Sequence, residues 1–191
     1  MTNYTAKRGM SASRKIGGKV NNGAINSYPV KNGYATALFA DDPVKVSAGF
    51  IQQLDTVSAK PVGVVTGFAY VDSDGTPKFT KYLPASTSSK GVIDGYDSPV
   101  AYVVDDPDTT FVMIADATLS AGDVGLYFDV TIGSGDTYAK QSTARLKAST
   151  RAAVSANDHH VQVIGLTKLP GNDYTTSVPV VEVRFLNHLY G

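Results

Sequence analysis

Almost every acidic side chain in this sequence is an aspartate. Of the 17 acidic residues, 16 are Asp and only Glu182 is Glu. Glutamate favours helices, whereas aspartate favours turns and caps. The 18 Gly, nine Pro and 11 Tyr residues strengthen this bias, because Gly and Pro form turns and Tyr favours strands. The chain is therefore expected to form strands joined by turns, with almost no helix.

Hydrophobic and polar residues alternate in several short runs. In the C-terminal run VPVVEVRFLNHLY, Val181, Val183 and Phe185 alternate with Glu182 and Arg184, the pattern of a strand with one buried face. Turn signals separate such runs about every ten residues, which predicts roughly seven to ten strands. The predicted fold class is all-β, an antiparallel sandwich or barrel with an extended N-terminal arm.

The apolar run PVGVVTGFAYV is the longest of the predicted strands. Its glycines, Gly63 and Gly67, predict a buried strand that bends or bulges at these two positions. The segment DSDGT follows it and begins like a calcium loop, but Pro77 comes next and no Glu closes the loop. A hairpin turn is therefore the favoured interpretation of this segment.

The first 28 residues differ in composition from the rest. They are rich in Ser, Asn, Gly and Ala without a sustained hydrophobic period, so alone they cannot offset their ordering entropy. All charged side chains in residues 1–40 are basic, whereas the remainder carries more acidic than basic ones. We predict an extended basic N-terminal arm, residues 1–28, and a single β-domain, residues 29–191. Charge alone directs such an arm to an acidic protein or nucleic-acid surface.

Two stretches have weak patterns. Residues 11–16 give weak support for a short helix. Residues 118–158 form a candidate inserted excursion, in which residues 142–156 would be a short helix or an irregular run of small residues.

The triplet Asp-Asp-Pro occurs at Asp41–Pro43 and again at Asp105–Pro107. Four carboxylates could serve a divalent cation. The alternative is a local turn, because Pro bars its predecessor from the helical region and Asp bonds its own downstream backbone. We favour the turn, with the carboxylates left in water.

No catalytic, metal or cofactor site is predicted. His159 and His160 are adjacent, so in a strand they would face opposite sides and could not share one ion. The sequence lacks cysteine, which weakens a zinc site, and it has no G-x-S-x-G nucleophile motif. No apolar run approaches the roughly 18 residues of a membrane span, and the N-terminus does not resemble a secretory signal. We therefore expect a non-enzymatic protein without a cofactor or a membrane role.

The arm is the candidate partner-binding element. Its basic residues would guide it to an acidic partner and its apolar residues would bury surface on docking; the alternative is a disordered, solubilising terminus. The candidate contact residues are Tyr4, Lys7, Arg8, Met10, Arg14, Lys15, Ile16, Lys19 and Val20.

Several segments together resemble a family of tailed-phage structural proteins found in marine and cyanobacterial phages, the head decoration or capsid cement proteins. The resemblance covers about residues 32–115 and 161–188, and leaves out the arm and residues 118–158. The segments that carry it are GYATALFADDPVKV, KPVGVVTGFAYVDSDGTPKFTKYLPA, AYVVDDPDTTFVMIADATL, VIGLTKLPGND and VEVRFLNH.

The resemblance implies a non-enzymatic protein on the outer surface of a phage capsid, where it would stabilise the shell. It also implies the major capsid protein as partner and a homotrimer, with no direct nucleic-acid role. A tail or other minor virion component is the alternative. A small β-fold glycan-binding module or enzyme is more remote, with the tyrosines as its binding surface.

Overall fold

The computed structural model describes residues 9–17, 19–20, 23–55, 59–153 and 159–191. These residues form strands and one short 3-10 turn, Ala121–Asp123, which confirms the predicted all-β class. The strands are β1 (Ser11–Lys15), β2 (Asn26–Pro29), β3 (Leu38–Phe39), β4 (Pro43–Ser47), β5 (Phe50–Gln53), β6 (Pro61–Val71), β7 (Pro77–Thr80), β8 (Tyr82–Leu83), β9 (Val100–Val104), β10 (Thr109–Ile114), β11 (Tyr127–Thr131), β12 (Arg145–Ala152), β13 (Val161–Leu166) and β14 (Val180–Phe185).

The strands form two large antiparallel sheets. One has the order β1-β10-β14-β13-β11-β12, and the other has the order β2-β9-β6-β4-β5, with β7 paired to β6 beside it. A separate two-stranded sheet, β3-β8, packs Leu38 and Leu83 into the core that includes Phe68. The β6–β7 hairpin turns through Asp72–Gly75, where the Gly75 N–H donates to the Asp72 carbonyl at 3.0 Å. The hairpin predicted at DSDGT is therefore confirmed.

The two large sheets have the same topology. The first repeat consists of β2, β4, β5, β6 and β9, and the second of β10, β11, β12, β13 and β14. In each repeat the first strand pairs with the fifth, the fifth with the fourth, the fourth with the second, and the second with the third. A parallel bridge then connects the third strand to the residue after the first strand, Val30↔Ile51 in one repeat and Ala115↔Leu146 in the other. Each repeat is thus a closed five-stranded barrel.

The repeats also match in register. The fourth strand of each carries a bulge opposite the fifth strand, at a Gly that follows a Val by two positions. The residue after each first strand donates to the carbonyl of a proline, at 2.7 Å from Val30 to Pro99 and 2.9 Å from Ala115 to Pro179. The matching pairs around the bulges are Val65↔Val103 and Gly67↔Tyr102, and Val163↔Val183 and Gly165↔Glu182. Glu182 is therefore the counterpart of Tyr102.

Each repeat encloses its own apolar core. In the second repeat, the side chains packed together inside the barrel include Phe111, Phe128, Leu146 and Val183. This core also includes Val64 and two further residues of the first-repeat segment. The other core lies within the first repeat, around residues such as Phe68. Because one cluster draws on both repeats, they are packed against each other.

The stretch predicted as an inserted excursion is part of the second repeat. Two of its segments are β11 and β12, which pair with each other in the large sheet. Phe128 and Leu146, both within this stretch, are fully buried. The prediction was wrong because the less exposed face of β12, with the sequence RLKASTRA, carries Ala148, Thr150 and Ala152 after Leu146, so its hydrophobic alternation is weak.

A loop of the second repeat reaches the first repeat. Residues 132–144 connect β11 to β12, where the first repeat has only Ala48 and Gly49 between the equivalent strands. The Ser142 N–H donates to the Ala40 carbonyl at 2.9 Å, and Ala40 and Gln141 form a parallel bridge. The 132–144 loop thus binds the corner before β4.

Gly135→Ala should destabilise the protein by disrupting this contact. Gly135 has a φ of 73°, and a Cβ built there would lie 2.1 Å from the Phe39 ring. We expect the free energy of unfolding to fall by about 2–4 kcal/mol, combining the cost of a left-handed alanine with that of overpacking. The control is Gly95→Ala, which has the same sign of φ but open space around it and should cost about 1 kcal/mol. Equal losses in urea denaturation would contradict the packing role of Gly135.

Candidate functional site

The N-terminal segment, the predicted partner-binding element, is partly integrated into the fold. Ser11–Lys15 is a strand, not a helix, and pairs antiparallel with β10. Met10 is 0% exposed and belongs to the second-repeat core. Residues 9–15 are therefore not a free arm, and Met10 is not available to a partner. Sequence reasoning missed this because an edge strand can be held by backbone bonds that need no apolar period.

Arg14 and Lys15 bind acidic groups of the same chain. The Arg14 guanidinium forms a bidentate pair with Glu182, with both nitrogen–oxygen distances at 2.7 Å. This pairing lowers the pKa of Glu182 and raises that of Arg14. Lys15 forms a salt bridge with Asp106, which lowers the pKa of that carboxyl. Part of the basic charge of the segment is thus neutralised internally, which the sequence alone did not reveal.

The exposed candidates cluster at the turn after β1. Ile16 is 39% exposed and Val20 is 86% exposed, with Lys19 also exposed between them. The Lys15 N–H donates to the Lys19 carbonyl at 2.9 Å, which folds this turn back on β1. We call Ile16, Lys19 and Val20 the tip. Tyr4, Lys7 and Arg8 lie outside the described residues.

Met10→Ala should show that the segment belongs to the core. Removing this buried side chain is expected to lower the free energy of unfolding by about 2–5 kcal/mol. The control Val20→Ala changes an exposed side chain of the same segment and should stay within about 0.5 kcal/mol of the parent. Chemical denaturation of the three proteins decides the matter, and a Met10→Ala midpoint equal to that of Val20→Ala would refute the assignment.

Both Asp-Asp-Pro triplets are turns between strands, as predicted. The first lies between β3 and β4, and the second between β9 and β10. In the second, Asp106 accepts the Asp108 N–H at 2.8 Å, and Asp105 accepts from the Tyr28 hydroxyl at 2.5 Å and from the Asn26 amide. Asp105 therefore anchors β2 to the end of β9.

The expectation that these carboxylates remain in water is wrong for Asp42. Its side chain is 1% exposed and accepts the Phe39 N–H at 2.9 Å. Burial raises the pKa of Asp42 to about 6, against hydrogen bonds from Ser142, Phe39 and Gln53 that favour the charged form. Burial likewise raises the pKa of Asp41 to about 6, opposed by the charge of Lys81. The carboxylate sits inside because the 132–144 loop covers the corner.

Asp42→Asn should change how stability depends on pH. The folded-state pKa of Asp42, about 6, is above its ordinary value of 3.8, so the folded chain binds the proton more tightly than the unfolded chain. Its contribution to stability is fully present below about pH 4 and is lost as pH rises to about 6, at about 1.4 kcal/mol per unit of pKa difference. Asn keeps an acceptor for Phe39 but does not titrate.

The measurement is the free energy of unfolding of the parent minus that of Asp42→Asn, from pH 3.5 to 7.5. This difference should fall by about 2–3 kcal/mol between pH 4 and 6 and then level off. Asp173→Asn serves as the control: hydrogen bonds from Thr175 lower the pKa of the Asp173 carboxyl, so its difference should not fall as pH rises. A difference that rises with pH over this window would overturn the sign derived for Asp42.

The two adjacent histidines approach the same carboxylate. The Nδ1 atoms of His159 and His160 lie 3.0 and 3.9 Å from Asp129 Oδ1. Both precede β13, so the strand geometry that would separate them does not apply. His160 Nδ1 also accepts the Val130 N–H at 3.1 Å. Among the described residues, no group of three or more His, Asp or Glu side chains is arranged to hold a metal ion.

An apolar groove lies on the outer face of the first repeat. Its volume is about 590 Å³, and it is lined by residues that include Ile25, Gly67, Phe79 and Tyr102. Phe79 is 72% exposed and Ile25 is 46% exposed. The sequence signalled this groove only weakly, since Phe79 fits an ordinary alternating strand.

The second repeat has an equivalent groove. It is lined by Gly165 and Glu182, the counterparts of Gly67 and Tyr102, and also by Ser13 and Arg14 of β1. The groove of the second repeat is thus contacted by the added strand β1, whereas the described lining of the first-repeat groove includes no residue of β1.

Comparisons with protein-family models, curated proteins and solved structures find no significant match to this chain. Within the described residues, no helix has the length and apolar character needed to cross a bilayer.

Proposed function

We propose that this protein is a non-enzymatic structural component of a tailed-phage particle, a decoration protein bound to the outside of the head. The observation that supports this most is where the resembling segments lie. GYATALFADDPVKV forms β3, the buried corner and β4, and PVGVVTGFAYV is the bulged strand β6. The resemblance therefore concerns residues that determine this fold.

A third resembling segment connects the two repeats. In VEVRFLNH, His188 is buried, and its Nε2 donates to the Val62 carbonyl of β6 at 2.9 Å. Burial lowers the pKa of His188, which favours the neutral ring. A protein built from two barrels that are joined in this way suits a role in which rigidity matters more than chemistry.

The partner in this proposal is the major capsid protein, and the tip is the docking element. Ile16 and Val20 offer apolar surface, and Lys19 offers a positive charge to an acidic shell. Exposed charge pairs contribute only about 0.2–1 kcal/mol each, so the apolar residues would set residence time and the charge would set association rate. Three tips in a homotrimer would bind more strongly than one through effective concentration.

The test is co-sedimentation of the purified protein with heads that lack it. Val20→Asp should weaken binding by about tenfold or more, because it places a charge in a desolvated contact. The matched control is Val92→Asp, since Val92 is 67% exposed at another site, and it should bind within about twofold of the parent.

The outcomes separate the candidate roles. Binding by the parent at a copy number comparable to the shell protein supports decoration, while a copy number comparable to the tail proteins assigns the chain to the tail. No binding to any particle would refute the virion role. Equal binding by the parent and Val20→Asp would remove the tip from the interface but leave the decoration role standing.

A further inference from the structure

The repeats differ at the outer edge of their first strands. In the second repeat, β1 pairs with this edge of β10, with Ser11 opposite Val112 and Ala12 opposite Phe111. In the first repeat, β2 pairs with β9 on one side. On the other side, Val30, just beyond the end of β2, bridges to Ile51 of β5. Over the described ranges, with residues 1–8, 18, 21–22, 56–58 and 154–158 set aside, no strand pairs with that side of β2 itself, residues 26–29.

The backbone of β2 can accept a strand at this edge. The Val30 N–H donates to Pro99, and since alternate residues of a strand point to opposite sides, Tyr28 and Asn26 also face β9. The N–H and C=O of Ser27 therefore point away from β9. Pro29 points the same way and lacks a donor, which would block a longer addition.

The pairing of β1 shows that Pro29 is not an obstacle. By register against the fifth strand, Ser27 lies opposite Tyr102 as Val112 lies opposite Glu182. Ser27 is thus the counterpart of Val112, and the described pairs of β1 run from Val112 toward Thr109, away from the counterpart of Pro29. A strand placed on β2 as β1 is placed on β10 would need Ser27 but not Pro29.

The neighbouring groove indicates which side chain this strand would carry. In the second repeat, Arg14 of β1 reaches Glu182 across the groove. In the first repeat Tyr102 stands in place of Glu182, with the apolar side chains of Ile25 and Phe79 beside it. An aromatic or aliphatic side chain at the Arg14 position would bury against these groups.

We propose that the outer edge of β2 is a binding site for an extended segment of a partner protein, which adds antiparallel to β2 and places an apolar side chain in the groove beside Tyr102. Main-chain hydrogen bonds to Ser27 supply affinity, and the groove supplies selectivity, the division typical of strand addition. This inference does not depend on the virion role proposed above.

The probe is a fluorescent octapeptide with the sequence of residues 9–16 and the change Arg14→Phe, titrated against the whole protein by fluorescence anisotropy. The parent should bind this peptide about tenfold more tightly than the unchanged Arg14 peptide, because only the former matches Tyr102. Tyr102→Glu should reverse this preference, because it recreates the acidic partner found in the second repeat. The preference of the parent and its reversal in Tyr102→Glu would together distinguish binding at this edge from nonspecific hydrophobic binding.

The matched variants are Ser27→Pro and Ser27→Ala. Proline at residue 27 removes the outward N–H without touching a bond to β9, so binding should weaken by about tenfold, whereas alanine keeps the donor and should bind within about twofold. Unchanged melting temperatures verify that both variants fold. Equal binding by Ser27→Pro and Ser27→Ala, or no binding by the parent at 1 mM peptide, would overturn the proposal. Sedimentation showing that the parent dimerises through this edge, and that Ser27→Pro is monomeric, would also overturn it by assigning the edge to a second copy.

Discussion

The fold depends on two backbone hydrogen bonds to Val65 at the centre of β6. The Val65 N–H donates to the Asp42 carbonyl at 3.0 Å, and the Val65 carbonyl accepts the Asp41 N–H at 2.8 Å. This pair fixes the corner between β3 and β4 against the bulged strand, and the left-handed φ of 69° at Asp41 makes the corner sharp. Once the corner is in place, the register of β4 on β6 follows.

The second repeat makes the same pair of bonds with different residues. The Val163 N–H donates to the Leu126 carbonyl at 3.1 Å, and the Gly125 N–H donates to the Val163 carbonyl at 2.8 Å. Gly125 has a φ of 88°, so a left-handed residue occupies the same place. Asp41 and Gly125 are alternative solutions for this conformation. The next residue is Asp42 in the first repeat and Leu126 in the second, so only the first repeat has a carboxylate here that bonds to Ser142 of the 132–144 loop.

The sequence predicted the regular parts of this fold and missed its symmetry. Val181, Val183 and Phe185 are buried as their alternation indicated, and the expected bulge at Gly67 is present. The duplication was not predictable, because the repeats share backbone bonds rather than side chains, as the exchange of Asp41 for Gly125 shows. The edge strand β1 was missed since SASRK has no apolar face. The burial of Asp42 depends on a loop about one hundred residues further along the chain, a contact that no local pattern signals.

The 132–144 loop affects how the chain unfolds. Each barrel forms its own network of backbone hydrogen bonds. Two such barrels joined end to end could therefore unfold one at a time. Here a loop of the second barrel covers the corner of the first. In addition, the C-terminal residues beyond β14 return to β6, where the Leu189 N–H donates to the Pro61 carbonyl at 3.0 Å. Neither barrel can unfold without exposing a surface that the other barrel buries. We therefore expect the two repeats to unfold as one cooperative unit in a single transition, and not as two independent foldons.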